Sequence, residues 1–228
     1  EKLNLLSDIA FDIKTIHSHN IIHLDLHSGN ILQKNLHSAY IGDFGISVSV
    51  DEALNMKSEN IYGFLPYLAP EILTKRIYEK ASDIYSFGMI MWEISSGRSV
   101  FFNRAHDSNL LIALMDGERP QILDGTAQDY KEFMERCWSS DPKDRPSAEE
   151  ILKVIESWKS NEEILKKFDE SDINMKTIIN KYANDKSKLI STVTNNFSCV
   201  SLFAHLYNSL SCHLYNFIAI PENFLSTI

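Results

Sequence analysis

Asp25, Asn30 and Asp43 are the residues of this chain whose types and spacing can do chemistry. The first two lie five apart in His23-Leu24-Asp25-Leu26-His27-Ser28-Gly29-Asn30, and Asp43-Phe44-Gly45 follows thirteen residues after Asn30. A carboxylate and a carboxamide on one short loop, with a second carboxylate beyond a hairpin, suit phosphoryl transfer from an ATP-like donor to a hydroxyl. In that chemistry one acid orients the incoming hydroxyl, and two oxygen ligands hold magnesium against the phosphates. Magnesium prefers carboxylate and carbonyl oxygens, which Asn30 and Asp43 offer. His23 and His27, four apart, raise the competing possibility of a zinc site. Leu24 stands where an H-E-x-x-H motif needs its glutamate, and Gly29-Asn30 disfavours the helix such a motif requires.

The loop matches H-R-D-L-x-x-x-N except at Leu24, Asp43-Phe44-Gly45 matches D-F-G in full, and Ala69-Pro70-Glu71 supplies A-P-E in the same order. With three signatures in sequence, residues 1–158 resemble the protein-kinase superfamily. The resemblance implies a mainly α fold, that of a kinase C-terminal lobe with a short β-hairpin region by the catalytic loop. It implies ATP and Mg2+ as cofactors, and a protein substrate whose Ser/Thr (or Tyr) hydroxyl receives the γ-phosphate. Carried over residue by residue, Asp25 is the catalytic aspartate, and Asn30 and Asp43 hold the metal and, through it, the nucleotide. His23 packs beneath the loop, Asp83 ties the next buried helix to it, and Arg145 pairs with Glu71.

Three departures qualify the resemblance. Leu24 replaces the arginine that many kinases use to grip a phosphorylated activation segment. His27 and Phe64 stand where serine/threonine kinases place a lysine and a threonine that meet the transferred phosphate. The wording Cys137-Trp138, Asp141-Pro142 and Arg145-Pro146 resembles the tyrosine-kinase-like group instead. The chain also contains no G-x-G-x-x-G loop and no V-A-I-K-type lysine, so the expectation is a C-terminal lobe with the N-terminal β lobe absent. A non-catalytic, kinase-like interaction or scaffold module is the alternative.

These residues need elements to position them. Leu3, Leu6, Ile9, Ala10, Ile13 and Ile16 recur at helical steps and predict a helix to about His19. Ile21-Ile22, Ile31-Leu32 and Tyr40-Ile41 are short apolar anchors around the loop and before Asp43. Residues 46–68 have little periodicity and read as an activation segment, in which Ser47, Ser49, Ser58 and Tyr62 are either phosphate acceptors or plain solvated hydroxyls. Between Ile84 and Ile94 only Glu93 is charged, so that helix is expected to be buried on most sides, with Ser82 or Asp83 capping it. Asn109 to Met115 predicts another helix, Tyr130, Phe133, Met134, Cys137 and Trp138 a further helical stripe, and Ser147-Ala148-Glu149-Glu150 opens a last one with a capping box.

Beyond residue 158 the character changes. Residues 159–188 read as a charged linker or helical extension, and residues 189–228 as an apolar-rich tail with one charge, Glu222. Leu202, Leu206, Leu210, Leu214 and Phe217 form a stripe expected to pack on the lobe, with a non-native end from gene-model error as the alternative, while interleaved polar residues make membrane insertion unattractive. The net charge of −9 argues against a nucleic-acid partner. Residues 1–156 hold 15 basic against 24 acidic residues, so the acidity belongs to the lobe. Cys137, Cys199 and Cys212 are odd in number and show no C-x-x-C pattern, which suits reduced thiols in a cytoplasmic, intracellular protein. The opening Glu1-Lys2-Leu3-Asn4 reads as helix, not signal peptide, and with no initial methionine the chain is read as a fragment or truncated gene product.

Overall fold

Helices carry most of the computed structural model, which describes residues 1–35, 37–56 and 61–187. The expected phosphate acceptor Ser58 and the expected packed stripe Leu202–Phe217 lie outside the described residues. The apolar spacing of the first residues produces α1 (Lys2–Ser18), which buries Leu5, Leu6, Ile9, Ala10 and Ile13. α1 packs on α7 (Ala148–Lys159) and on the hairpin strand β3 (Ser38–Ile41).

Two small antiparallel sheets frame the loop. β1 (Ile21–Ile22) pairs with β4 (Val48–Ser49), and β2 (Ile31–Asn35) pairs with β3. The hairpin is tied to α1 by two carboxylates: Asp8 accepts the Ala39 N–H and Asp12 the Ile41 N–H. The stretch 46–68 holds more structure than its sequence pattern suggests. Ser49 ends β4 and caps α2 (Val50–Asn55) through a capping box with Glu52.

The core is built on α4 (Lys80–Ser96), buried from Ser82 to Ile94. Phe87, Met89 and Ile90 are fully buried there, each contributing about 1.5–3 kcal/mol. Gly88 lets α6 (Gln128–Cys137) come close, because a Cβ there would lie 3.1 Å from Cys137 Cβ and from the Trp138 backbone nitrogen. The short helices α3 (Pro70–Lys75) and α5 (Ser108–Met115) complete the lobe. Ser147 forms the expected capping box with Glu150 at the start of α7.

The charged stretch after residue 158 is a helix, α8 (Glu162–Ser187), and one face of its first half is docked on the lobe while the other is exposed. Phe168 packs edge-on against Trp158 and Tyr130, and Lys2 pairs with Asp172 at 2.7 Å. The Ser171 hydroxyl donates to Gly125 O and accepts the Ala127 N–H. No described helix is long and apolar enough to cross a membrane.

Candidate active site

The loop 23–30 is held from beneath by one carboxylate. Asp83, at the start of α4 and 2% exposed, accepts the His23 N–H at 2.9 Å, the Leu24 N–H at 3.1 Å and His17 Nε2 at 2.8 Å. Leu24 needs this support because its φ of +69° is a left-handed conformation that costs a branched residue about 1–2 kcal/mol. Its side chain is buried, so Leu24 is part of the core. His23 bonds Gly42 O through Nε2 and packs against the Phe44 ring, beneath the loop as expected.

Asp25 and Asn30 meet across the loop. The Asn30 amide donates to Asp25 O at 2.8 Å and lies 3.5 Å from Asp25 Oδ2. Spending the amide nitrogen this way leaves Asn30 Oδ1 as the atom available to a cation. His27 Nε2 stands 3.6 Å from Asp25 Oδ2. Burial pushes the Asp25 carboxyl up, but the His27 side chain, His23 and the Asn30 amide together outweigh it and hold it below its ordinary value. The group is therefore ionised at neutral pH and accepts rather than donates hydrogen bonds.

The hairpin brings Asp43 to the same edge. Ile31 pairs with Ile41, and the Gly42 N–H donates to Asn30 O at 2.8 Å, so Asp43 leaves the ladder beside the residue that opens it. Asp43 has φ +59° and is exposed, with Oδ1 accepting the Gly45 N–H at 3.3 Å. An amide oxygen and an open carboxylate are hard donors that fit Mg2+, which keeps several waters and takes few protein ligands. His23 and His27 point to other partners, Gly42 O on one side and the Gly29 N–H on the other. Among the described residues no group of three or more His, Cys, Asp or Glu is arranged to hold a metal ion.

The segment after Asp43 returns over the loop at Gly63. Its φ is +110°, and a Cβ would lie 2.9 Å from Leu24 O and 2.7 Å from a Leu68 methyl, so no larger residue fits. Phe64 and Tyr67 follow, stacked at 5.6 Å, and Phe64 and Tyr67 both contact the His27 ring. Glu71 then meets Arg145 bidentately, Nη1–Oε1 at 2.7 Å and Nη2–Oε2 at 2.8 Å. Arg145 also donates to Ala81 O and Ser139 O, and Ser82 donates to Glu71, so the buried pair is saturated. Of the expected phosphate acceptors, Ser47 donates to His23 O, Ser49 is the α2 cap, and the Tyr62 N–H bonds Tyr78 OH.

Some site residues were not legible in the sequence. His17 gives no local sign of its bond to Asp83, whose partner lies 66 residues away. Glu93 stands out in the sequence as the one charge between Ile84 and Ile94, but its neighbours do not. It is 1% exposed, accepts the Val100 N–H through Oε1, and lies beside Ser28 and Tyr67, whose hydroxyls bond each other at 3.1 Å. Burial pushes its carboxyl up to about 7 against the pull of Tyr67, Ser28 and the Val100 N–H.

Comparison with known proteins identifies the family. The family model of protein tyrosine and serine/threonine kinases matches residues 1–155. A probable LIM domain-containing serine/threonine-protein kinase of Dictyostelium discoideum is 34% identical over 154 residues, 68% of this chain and 23% of that protein. The dual specificity protein kinase shkA of the same organism is 28% identical over 160 residues, 68% of this chain and 30% of that protein. A serine/threonine-protein kinase of Arabidopsis thaliana is 28% identical over 153 residues, 67% of this chain and 26% of that protein. The chain thus spans less than a third of the length of these relatives. From residue 1 to residue 155, the chain belongs to the protein tyrosine and serine/threonine kinase family.

Proposed function

We propose that residues 1–158 are the C-terminal lobe of a protein kinase domain of the tyrosine-kinase-like group. Its reaction is transfer of the ATP γ-phosphate to a protein Ser/Thr (or Tyr) hydroxyl. The observation that carries this reading is the anchoring of the Asn30 amide on Asp25 O, which leaves Oδ1 beside an ionised Asp25. Asp25 accepts and orients the substrate hydroxyl. Asn30 Oδ1 and the Asp43 carboxylate are the ligands offered to Mg2+. ATP and Mg2+ supply the transferable phosphate and the charge that neutralises it. A carboxylate held below its ordinary value is a weak base, so Asp25 works by positioning, which a loose transition state rewards.

Other observations support the same reading. Leu32 and its cross-strand partner Tyr40 are exposed beside Asp43, as is Phe44, an apolar face suited to a nucleotide base and to a glycine-rich lobe above it. Trp138, part of the tyrosine-kinase-like wording, packs on Gly88. Relatives named as serine/threonine and dual-specificity kinases favour an aliphatic hydroxyl as acceptor. We assign α8 as an extension docked on the lobe and place the protein inside the cell, where the buried Cys137 stays a free thiol.

A second reading, a non-catalytic docking module, draws on the lack of a G-x-G-x-x-G loop and strand lysine in these 228 residues. With half the phosphate clamp missing, the 228-residue chain is expected to fold, bind ATP·Mg2+ very weakly and transfer no measurable phosphate. The full-length gene product is expected to transfer it. A radiolabelled-phosphate assay with calorimetry on both samples is the test. Inactivity of the full-length product, with no nucleotide binding, decides for the docking module.

A further inference from the structure

His27 occupies a position that the kinase reading leaves without a role, and its surroundings define its state. The backbone N–H of Gly29 donates to His27 Nδ1 at 3.0 Å. That bond requires an unprotonated Nδ1, so the ring is neutral and its one proton is on Nε2. Nε2 faces Asp25 Oδ2 at 3.6 Å, and both side chains are about one-tenth exposed. The ring is wedged edge-on against Phe64 at 5.5 Å and tilted on Tyr67 at 5.8 Å. It therefore cannot swing away without opening the aromatic cluster, which His106 continues on the far side of Phe64.

We propose that His27 is a positioning residue for Asp25: a neutral imidazole, fixed as the Nε2–H tautomer by Gly29, that aims its N–H at Asp25 Oδ2. The inference rests on the kinase reading of Asp25. It separates His27 from a lysine, because a neutral donor orients the carboxylate but brings no net charge to the transferred phosphoryl group. The charged and titratable groups around the ring are Asp25 in front, Glu93 and Tyr67 behind, and His23 beyond Asp25. The 3.6 Å separation closes to a hydrogen bond with a small movement of either side chain, and catalytic hydrogen bonds commonly tighten when substrate is bound.

Two experiments test this. In the 228-residue chain, long-range 1H–15N correlation of the His27 ring at pH 7.5 is expected to show a protonated Nε2 and an unprotonated Nδ1. In the same sample, at the same pH, the 13C chemical shift of the Asp25 carboxyl is expected to move in His27→Ala, which removes the facing N–H. It should stay near wild type in His27→Gln, whose amide carries both a donor and an acceptor. In the full-length gene product, His27→Ala is expected to lower kcat about tenfold to a hundredfold, with KM for ATP changed no more than about twofold. His27→Gln should recover most of the loss and His27→Lys should not. An imidazolium or Nδ1–H ring, an unmoved Asp25 carboxyl shift, or rescue by lysine rather than glutamine overturns the proposal. If Asp25→Asn leaves turnover intact, the kinase reading fails instead, and the ring correlation and the carboxyl shift still decide whether His27 holds Asp25.

Discussion

The two halves of the candidate site are built differently. Asp25 and Asn30 sit on a loop whose backbone is bonded to the buried Asp83 and whose side chains are bonded to each other. Asp43 and Phe44 lie on the exposed side, with Phe44 50% exposed and Asp43 accepting one long bond from Gly45. The difference teaches where positioning comes from. The half we assign to orienting a hydroxyl is fixed by the fold, whereas the half we assign to the metal offers an open carboxylate.

The largest effect expected from breaking this contrast is on stability. Asp83→Ala strands the donors of His17, His23 and Leu24, at about 1–3 kcal/mol for each buried group. A loss of at least about 3 kcal/mol in denaturant unfolding is expected. Asp43→Asn, on the exposed half, keeps a side chain suited to the positive φ and should change stability by no more than about 0.5 kcal/mol. Equal losses in the two variants would erase the contrast.

Glu93 gives the next effect, through pH. Its folded-state value of about 7 lies above its ordinary 4.5. Below pH 4.5 the carboxyl is neutral in both states and its burial costs least. As pH rises from 4.5 to 7 the unfolded chain loses the proton first, so this group's contribution falls by about 3 kcal/mol in total. Glu93→Gln, which keeps an acceptor for the Val100 N–H, should remove that slope from a plot of stability against pH. A slope unchanged by the substitution would mean that another group titrates there.

The smallest effect concerns the exposed segment itself. Ser49→Ala removes the α2 cap and should cost about 1 kcal/mol. The loop half should be insensitive to it: NMR shifts of His23 to Asn30 are expected to stay put while those of α2 move.

The contrast also explains what could be read from the sequence. The signatures around Asp25, Asp43 and Glu71 are contiguous, and α1, α4 and α7 announce themselves by periodicity or caps. The Arg145–Glu71 pair, 74 residues apart, was legible through the resemblance and is bidentate in the structure. What stayed hidden depends on tertiary packing. The segment 46–68 yields β4 and α2 because β1 supplies a partner strand and Ser49 a cap, neither of which shows as periodicity. The lysine-rich stretch after 158 looks solvated by composition. It docks because Phe168 finds Trp158 and Tyr130, and Ser171 finds a loop over forty residues away. Glu93 reads as a lone charge on an apolar helix, and only the fold sets it beside Ser28 and Tyr67.

On the proposed reading, Asp25 orients the acceptor while Asn30 and Asp43 hold the metal. The most direct test compares Asp25→Asn and Asp43→Asn in the full-length gene product, by calorimetry of ATP·Mg2+ binding and by phosphate transfer on one preparation. Asp25→Asn is expected to lower turnover by about two to four orders of magnitude, with nucleotide affinity nearly intact. Asp43→Asn is expected to abolish magnesium-dependent ATP binding, and neither should lower the melting temperature. Equal loss of nucleotide binding in both variants would contradict the account.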